Sequence, residues 1–289
     1  DPEAAIAGST PPLHPDGNIV HQLHVRHGDV ATGAAQADVV VRGRYEVGMQ
    51  GQAFLGPESG LAFPSGDGSV ELHLATQWLH ADRDQMAAAL GLPPEMVRLV
   101  LAGVGGAFGG REDISMQIHA CLLALHTNRP VKMSYGREES FFGHVHRHPA
   151  WMEYEHGATR DGRLTHVKCR VVVDGGAYAS TSREVIVVAG TTACGPYAVD
   201  HAEIDAYSTY TNNPPCGAMR GFGAVQVCVG YESQMDKLAA ALEMDPVELR
   251  KRNALETGGV TPTGQVIDGP IPVGELFDHL LAMPLPADD

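Results

Sequence analysis

Paired cysteines are missing from this sequence. The five present, Cys121, Cys169, Cys194, Cys216 and Cys228, are widely spaced and form no C-x-x-C pair, so they specify neither an iron–sulfur cluster nor a zinc site. They read as small buried residues in a reducing compartment. Positive charge is also scarce: 20 Lys and Arg stand against 35 Asp and Glu, a formal net charge of -15. Such a field repels phosphate backbones, which argues against nucleic acid and anionic membrane surfaces and favours small-molecule partners. No apolar run approaches the roughly 20 residues that cross a bilayer, and the opening DPEAAIAGSTPPLHPDG has no charged region followed by an apolar one. The chain reads as soluble and cytoplasmic. There is no G-x-S-x-G elbow to support a Ser/His/Asp hydrolase. HVHRH at 144–148 and the pair His119/His126 lack an acidic or cysteine ligand to complete a tetrahedral set, and among 15 histidines close spacing arises by accident, so they read as structural. The first residue is Asp, and the Pro/Gly/Ser-rich opening reads as a cut made inside something larger.

What is there suits a packed globular protein: 289 residues, 44% hydrophobic and 19% charged, enough for a sizeable core. Residues 1–18 read as a loop. ADVVVRGRYEV (38–48) reads as a strand, as do QAFLGPESGLAFP and SVELHLATQ either side of an SGDG turn. ADRDQMAAALG reads as a helix ended by Gly91, and VRLVLAG (97–103) as a short buried strand. In DISMQIHACLLALHTN, apolar Ile114, Ile118, Cys121, Leu122 and Leu125 recur with a helical period on a largely buried element. PVKMSYG predicts a strand, WMEYEHGATRDGRLTHVKCRVVVDGG a hairpin turning at Asp161-Gly162, and HAEIDAYSTYT another strand. A long helix from Ala224 to Glu243 gives way to DPVELRKRN, where Asp245 caps, Pro246 takes N1 and Glu248 completes a capping box. A short helix at Val273 to Leu281 closes the chain. The order of elements predicts an α+β fold with mixed β-sheets, packed helices and one main core.

The stretch GVGGAFGGRED gathers Gly103, Gly105, Gly106, Gly109 and Gly110 around Phe108. A strand that enters a glycine loop and leaves as a helix is the architecture of an anion cradle, in which bare backbone and helix-terminal N–H groups meet a ligand. The dinucleotide fingerprint G-x-G-x-x-G fails, because Phe108 stands where the third glycine belongs. The phosphate loop G-x-x-x-x-G-K-[ST] fails too: Gly105 and Gly110 fit, but Arg111 and Glu112 replace the Lys and the hydroxyl.

A second island, NNPPCGAMRGFGAVQ (212–226), again sets an aromatic between glycines just before a helix. Together the islands resemble the xanthine dehydrogenase and aldehyde oxidase family of molybdenum hydroxylases, in the first half of the molybdopterin-binding region of the large subunit. The resemblance runs from ADVVVRGRY to LRKRNAL and includes ATQ (75–77), LGLP (90–93), VGGAFGGRE, RP (129–130), REES (137–140), RHP (147–149), GGAY (175–178), GPY (195–197), YTNNPP (210–215), AMRGFG and DP (245–246).

The resemblance implies a first-lobe molybdopterin-binding fold over 19–257, with 1–18 as a linker and 258–289 leading toward a missing second half. It implies that Gln77 directs its amide at an oxygen of the molybdenum centre, that Gly106, Phe108, Gly109 and Ala218 bind the cofactor, and that no residue here ligates the metal directly. Arg220 would bind the cofactor and stabilise negative charge that develops as substrate is attacked. Phe222 would orient a flat heteroaromatic ring, and Glu112 would act on and bind the substrate by hydrogen-bonding ring nitrogens. Purine oxidases of the family carry a second polar residue, an arginine 32 residues before that of AMRGFG; here that register falls on Val188, with Arg183 out of step. The catalytic glutamate belongs to a Gly-Val-Gly-Glu-type motif in the second half, which this sequence does not contain. The complete enzyme is expected to be an oligomer. It would bring 2Fe-2S clusters and FAD on other subunits or segments, and act on purines, other heteroaromatics or aldehydes. Carbon monoxide is disfavoured, because AMRGFG stands where such enzymes carry a cysteine-bearing loop. The alternative is a non-catalytic cofactor-binding or assembly domain.

Overall fold

The computed structural model describes residues 1–284. In chain order its strands are β1 (Ile19–His27), β2 (Val39–Val47), β3 (Ser59–Pro64), β4 (Val70–Leu74), β5 (Val97–Leu101), β6 (Val131–Ser134), β7 (Ala150–Ala158), β8 (Leu164–Asp174) and β9 (Ala202–Thr209). The helices are α1 (Pro2–Ile6), α2 (Val30–Gln36), α3 (Leu79–Leu90), α4 (Gln117–Thr127), α5 (Arg137–Gly143), α6 (Ser182–Thr191), α7 (Ala224–Leu242), α8 (Pro246–Asn253) and α9 (Val273–Leu281). The strands form a five-stranded sheet in the order β1-β9-β8-β7-β2 and a four-stranded sheet in the order β5-β4-β3-β6. The smaller sheet is an insertion: the chain leaves the large sheet after β2, builds β3 to β6, and returns at β7. Both sheets are mixed, as expected for this α+β chain, with β8/β9 and β4/β5 parallel and the other pairs antiparallel.

The single core expected from the sequence resolves into two. One lies between the large sheet and helices α6 and α7, and gathers Met152, Val171, Ile186, Ile204, Val227, Met235 and Leu238. The other lies between the small sheet and helices α3 and α4, around Leu72, Leu74, Met86, Met116 and Cys121. Each fully buried Leu, Ile or Met contributes about 1.5–3 kcal/mol relative to exposure, so each core carries its own lobe. Strand patterning cannot separate the two, because it reports which face of a strand is buried and not which sheet the strand joins.

Local differences follow from the same geometry. The VRLVLAG strand is not buried throughout: β5 is an edge strand, and only Val97 is enclosed while Arg98 and Leu101 face solvent. Helix α4 starts at Gln117, after a turn, and buries Ala120, Cys121 and Ala124, leaving Leu122 54% exposed on its flank. Residues 52–58, expected as strand, are a connection between lobes. The opening segment holds a short helix, with Pro2 at its start and Asp1 accepting from the N–H groups of Glu3 and Ala4. Asp245 caps α8 as expected, accepting from Val247 and Glu248, but the Glu248 carboxylate pairs with Arg252 and the reciprocal half of the capping box is not formed.

The outer face of the large sheet is an ordered set of charges. The register aligns Arg42, Glu155, Lys168, Glu203 and Arg26 in one row across the five strands, and Arg44, Glu153, Arg170, Asp205 and His24 in the next. Sign alternates along both rows as far as Asp205, which His24 meets by a hydrogen bond at 2.6 Å, so each directly opposed pair of Lys or Arg with Asp or Glu is attractive. Ion pairs close at 2.6 Å between Arg42 and Glu155 and at 2.9 Å between Lys168 and Glu203. Burial pushes the Glu155 carboxyl up, but hydrogen bonds from His166 and Arg42 outweigh it and hold it below its ordinary value. Glu155→Lys would set three cations side by side and leave buried His166 without its acceptor at 3.0 Å. The expected loss is about 1–3 kcal/mol, read as a lowered urea midpoint at unchanged m-value, and it should shrink as salt is raised.

Candidate functional site

The first glycine island is the connection from β5 to α4, and it is stapled from below. Arg111 is buried, stacks its guanidinium 4.6 Å from the centre of the Phe54 ring, and donates to the carbonyls of Gly56 and Ala75. Above it, Gln77 sits just beyond β4. Its Oε1 accepts from the N–H groups of Gly109 at 3.0 Å and Arg111 at 3.2 Å, and its backbone N–H donates to the Arg111 carbonyl at 3.0 Å. Backbone N–H groups only donate, so these contacts fix which end of the amide is oxygen. The Nε2 end faces outward and donates to Glu112 Oε1 at 3.3 Å.

The second island docks on the first main chain to main chain. Arg220 N–H donates to the Phe108 carbonyl at 2.9 Å, and Gln52 Nε2 supports the neighbouring Ala218 carbonyl at 2.7 Å. Gly109 has φ near 100°, and a methyl placed on it would stand 2.5 Å from the Ala218 oxygen, so only glycine allows this approach. Phe108 and Phe222, the aromatic of each island, both occupy the left-handed region, with φ of 55° and 45°. For bulky residues that conformation persists only where the surroundings over-determine it, and such positions cluster at functional sites. Phe108 is 48% exposed, and Phe222 is half-buried at the turn into α7. The two islands belong to different lobes, so the site lies on the seam between the two cores.

The molybdopterin cofactor-binding domain family matches residues 13–254. This chain belongs to that family. Its relatives are molybdenum hydroxylases, and the match covers the first part of their molybdenum-binding region. The domain is 41% identical over 276 residues to the nicotinate dehydrogenase large molybdopterin subunit of Eubacterium barkeri, covering 96% of this chain and 65% of that protein. It is 36% identical to a probable xanthine dehydrogenase subunit of Bacillus subtilis, covering 87% of this chain and 34% of that one. The aldehyde oxidoreductase structure from Desulfovibrio gigas superposes with a TM-score of 0.91 at 28% identity, over 97% of this chain and 31% of that one. The domain therefore spans about two thirds or less of these relatives.

Among the expected site residues, Gln77, Phe108, Gly109 and Glu112 share one hydrogen-bonded cluster, and Ala218 and Arg220 dock onto it. Gly106 turns at φ 90° with the Phe108 ring against its open side. Phe222 is tied to the cluster through the turn it closes, its N–H donating to the Met219 carbonyl at 2.8 Å. The Arg220 side chain is exposed and has no ion-pair partner among the described residues. The expected helix N-terminus under the first island is absent, because α4 begins only at Gln117; the second island does lead straight into α7, through Gly223. Val188, at the register of the purine oxidases' second polar residue, lies half-buried in α6. The outward groups are an amide N–H, a guanidinium and exposed glycine backbone, a donor-rich set that fits an anionic, oxygen-bearing cofactor. The supporting roles of Gln52, Arg111 and Arg147 are not legible in the sequence, since a buried polar residue inside an irregular connection leaves no periodic signal. Of the histidines read as structural, His144 stacks on His146 and stands 3.2 Å from buried Glu58, and burial pushes His148 down to about 4 beside Ser182, whereas His119 and His126 are exposed on α4.

Three acids back the first island. Burial raises Asp82, Glu112 and Asp113, and the charge of Asp113 adds to the shift of the other two. A raised folded-state value stabilises below the unfolded value, about 3.9 for Asp, and that contribution is lost as pH rises through the folded value. Asp82 is wholly buried with Oδ1 unpartnered, so Asp82→Asn should raise the unfolding midpoint at pH 7 and do nothing below pH ~3.5. Equal effects at both pH values would contradict this. Gly109→Ala should cost about 2–4 kcal/mol by strain and clash and strip cofactor from the purified enzyme. Gly103→Ala, with nothing within 4 Å of its new methyl, should be neutral in both assays.

Proposed function

We propose that this domain is the first part of the molybdopterin-binding region of a hydroxylase that oxidises purines or related N-heteroaromatic rings with water-derived oxygen. The observation that carries the substrate class is Glu112. Its carboxyl lies beside Gln77 and Gly109, half-buried, with burial and then Asp113 raising it toward the protonated form. A carboxylate accepts and its protonated form also donates, which suits a ring carrying nitrogens and exocyclic oxygens. The name of the nicotinate dehydrogenase relative agrees with an N-heteroaromatic substrate, and that of the Bacillus relative with a purine.

The molybdenum cofactor, when bound, supplies the two-electron oxidation. This chain's residues then divide the remaining tasks. Gln77 would present an N–H to the cofactor from an amide locked by its other end, and the turn from Gly106 through exposed Phe108 to buried Gly109 would hold the cofactor beside it. Arg220 offers a permanent cation where negative charge develops, and Phe108 and Phe222 bound a slot for a flat ring. The general base and the closing wall come from a second molybdopterin-binding half, and 2Fe-2S and FAD units on other subunits or segments carry electrons away. Exposed Leu55 and Phe142, at 87% and 84%, agree with surfaces that other parts of a larger enzyme cover. No helix among the described residues is long and apolar enough to cross a membrane, and we place the enzyme in the cytoplasm as an oligomer.

An aldehyde-type activity is the second reading, favoured by the aldehyde oxidoreductase superposition; a cofactor-binding or assembly role without catalysis is the third. A substrate panel on the complete enzyme separates them: nicotinate, xanthine and benzaldehyde, wild type against Glu112→Ala. The expected result is roughly a 10²-fold or greater loss for the heterocycles, of the order seen when a polar contact to substrate is removed, with aldehyde turnover retained. Equal losses on all three would remove Glu112 from substrate recognition, and no turnover with full molybdenum content would favour the assembly role.

A further inference from the structure

Arg147 lies in the connection that enters β7 and is 7% exposed. Every partner its guanidinium has is neutral. Nε donates to Gln50 Oε1 at 3.1 Å, Nη1 to Gln226 Oε1 at 3.4 Å, and Nη2 to the main-chain carbonyl of Arg220 at 2.8 Å. Its backbone N–H is held by the Gln50 carbonyl at 2.9 Å, and Gln226 reaches back to the His148 carbonyl at 3.4 Å. No carboxylate pairs with Arg147 among the described residues, although acids outnumber bases in this chain. Burial lowers its affinity for the proton, yet a guanidinium keeps its charge in proteins. A buried, unneutralised cation is costly, and this one is spent on a single turn of the second island.

Arg220 is therefore clamped at both main-chain groups: its N–H by Phe108 and its carbonyl by Arg147. The clamp lies where the chain would otherwise be loose, immediately before Gly221 and Phe222 at φ 88° and 45°. The charge acts as well. Like charges repel, and the Arg220 guanidinium is exposed while that of Arg147 is buried against the Arg220 carbonyl.

We propose that Arg147 is a positioning residue: it fixes the Arg220 main chain and its buried charge holds the Arg220 side chain out over the face formed by the two islands. This role rests on Arg220 acting at that face, as in the function proposed above.

A double-mutant cycle in the complete, cofactor-loaded enzyme tests it, using Arg147→Gln, Arg147→Lys, Arg220→Gln and the two combinations. The measurements are kcat and KM with nicotinate and xanthine, molybdenum per protein, and the Mo(V) paramagnetic resonance signal after dithionite reduction. Arg147→Gln should lower kcat about ten- to a hundredfold, the cost of a misplaced catalytic group, with KM and molybdenum content close to wild type and a shifted resonance signal. Arg147→Lys, which keeps the charge but not the fork, should fall between. With Arg220 already replaced, changing Arg147 should cost nothing more in kcat. The proposal is overturned by losses that multiply in the double variant, by molybdenum content falling in step with activity, or by wild-type behaviour of Arg147→Gln. Should the Gln variant fail to fold, the Lys cycle decides by the same criteria. Unchanged kcat in Arg220→Gln would instead overturn the function assigned to Arg220, and this inference with it.

Discussion

Gly109 meets Ala218 backbone to backbone, with no room for a methyl group between them. Much of the site is arranged to permit and hold that approach. Gln77 accepts from Gly109 on one side of the contact, Gln52 donates to Ala218 on the other, and the Phe108 carbonyl takes the Arg220 N–H between them. The left-handed aromatics are a by-product of the same constraint: the chain must reverse sharply in each island for glycine to face main chain, and Phe108 and Phe222 take up the reversal at a cost of about 1–3 kcal/mol each. Side-chain burial in the two cores is what offsets such local strain.

Charge is sorted across this site with unusual asymmetry. The cations Arg111 and Arg147 are buried and donate only to uncharged oxygens, while Asp82, Glu112 and Asp113 are shifted toward neutrality by burial. Buried Glu58 is the counter-case: it is held below its ordinary value, and its charge acts on Arg111. Salt screens these buried charges less than it screens surface ones.

How much of this was legible in the sequence depended on whether a residue signals through period or through motif. The hairpin at Asp161-Gly162, the helix stop at Gly91 and the long helix α7 follow from turn chemistry and spacing, and all three are present. The islands were legible by their order of glycines and aromatics, and they come together as a pair. What stayed hidden is of another kind. Strand β1 and helices α2, α5 and α6 lie in stretches such as IVHQLHVRH and SREVIVVAG, whose β-branched and polar residues leave strand and helix nearly balanced until tertiary contacts decide. The second core was hidden because sheet membership is set by long-range pairing. Gln52 and Arg147 were hidden because a clamp on a carbonyl constrains no neighbouring residue in sequence.

The placement of the site on the seam between two separately packed lobes has a consequence for how such enzymes diversify. A slot cut into one core takes its width from residues that also carry stability, so widening it for a new ring weakens the protein. A slot between cores takes its width from how the lobes abut. Changes deep in either lobe, around Met235 or Met86, for example, can reset that spacing by fractions of an ångström without touching any residue of the two islands. The side chains of each island stay fixed to their own lobe while the spacing between the islands drifts. Relatives named for nicotinate, xanthine and aldehyde share this scaffold.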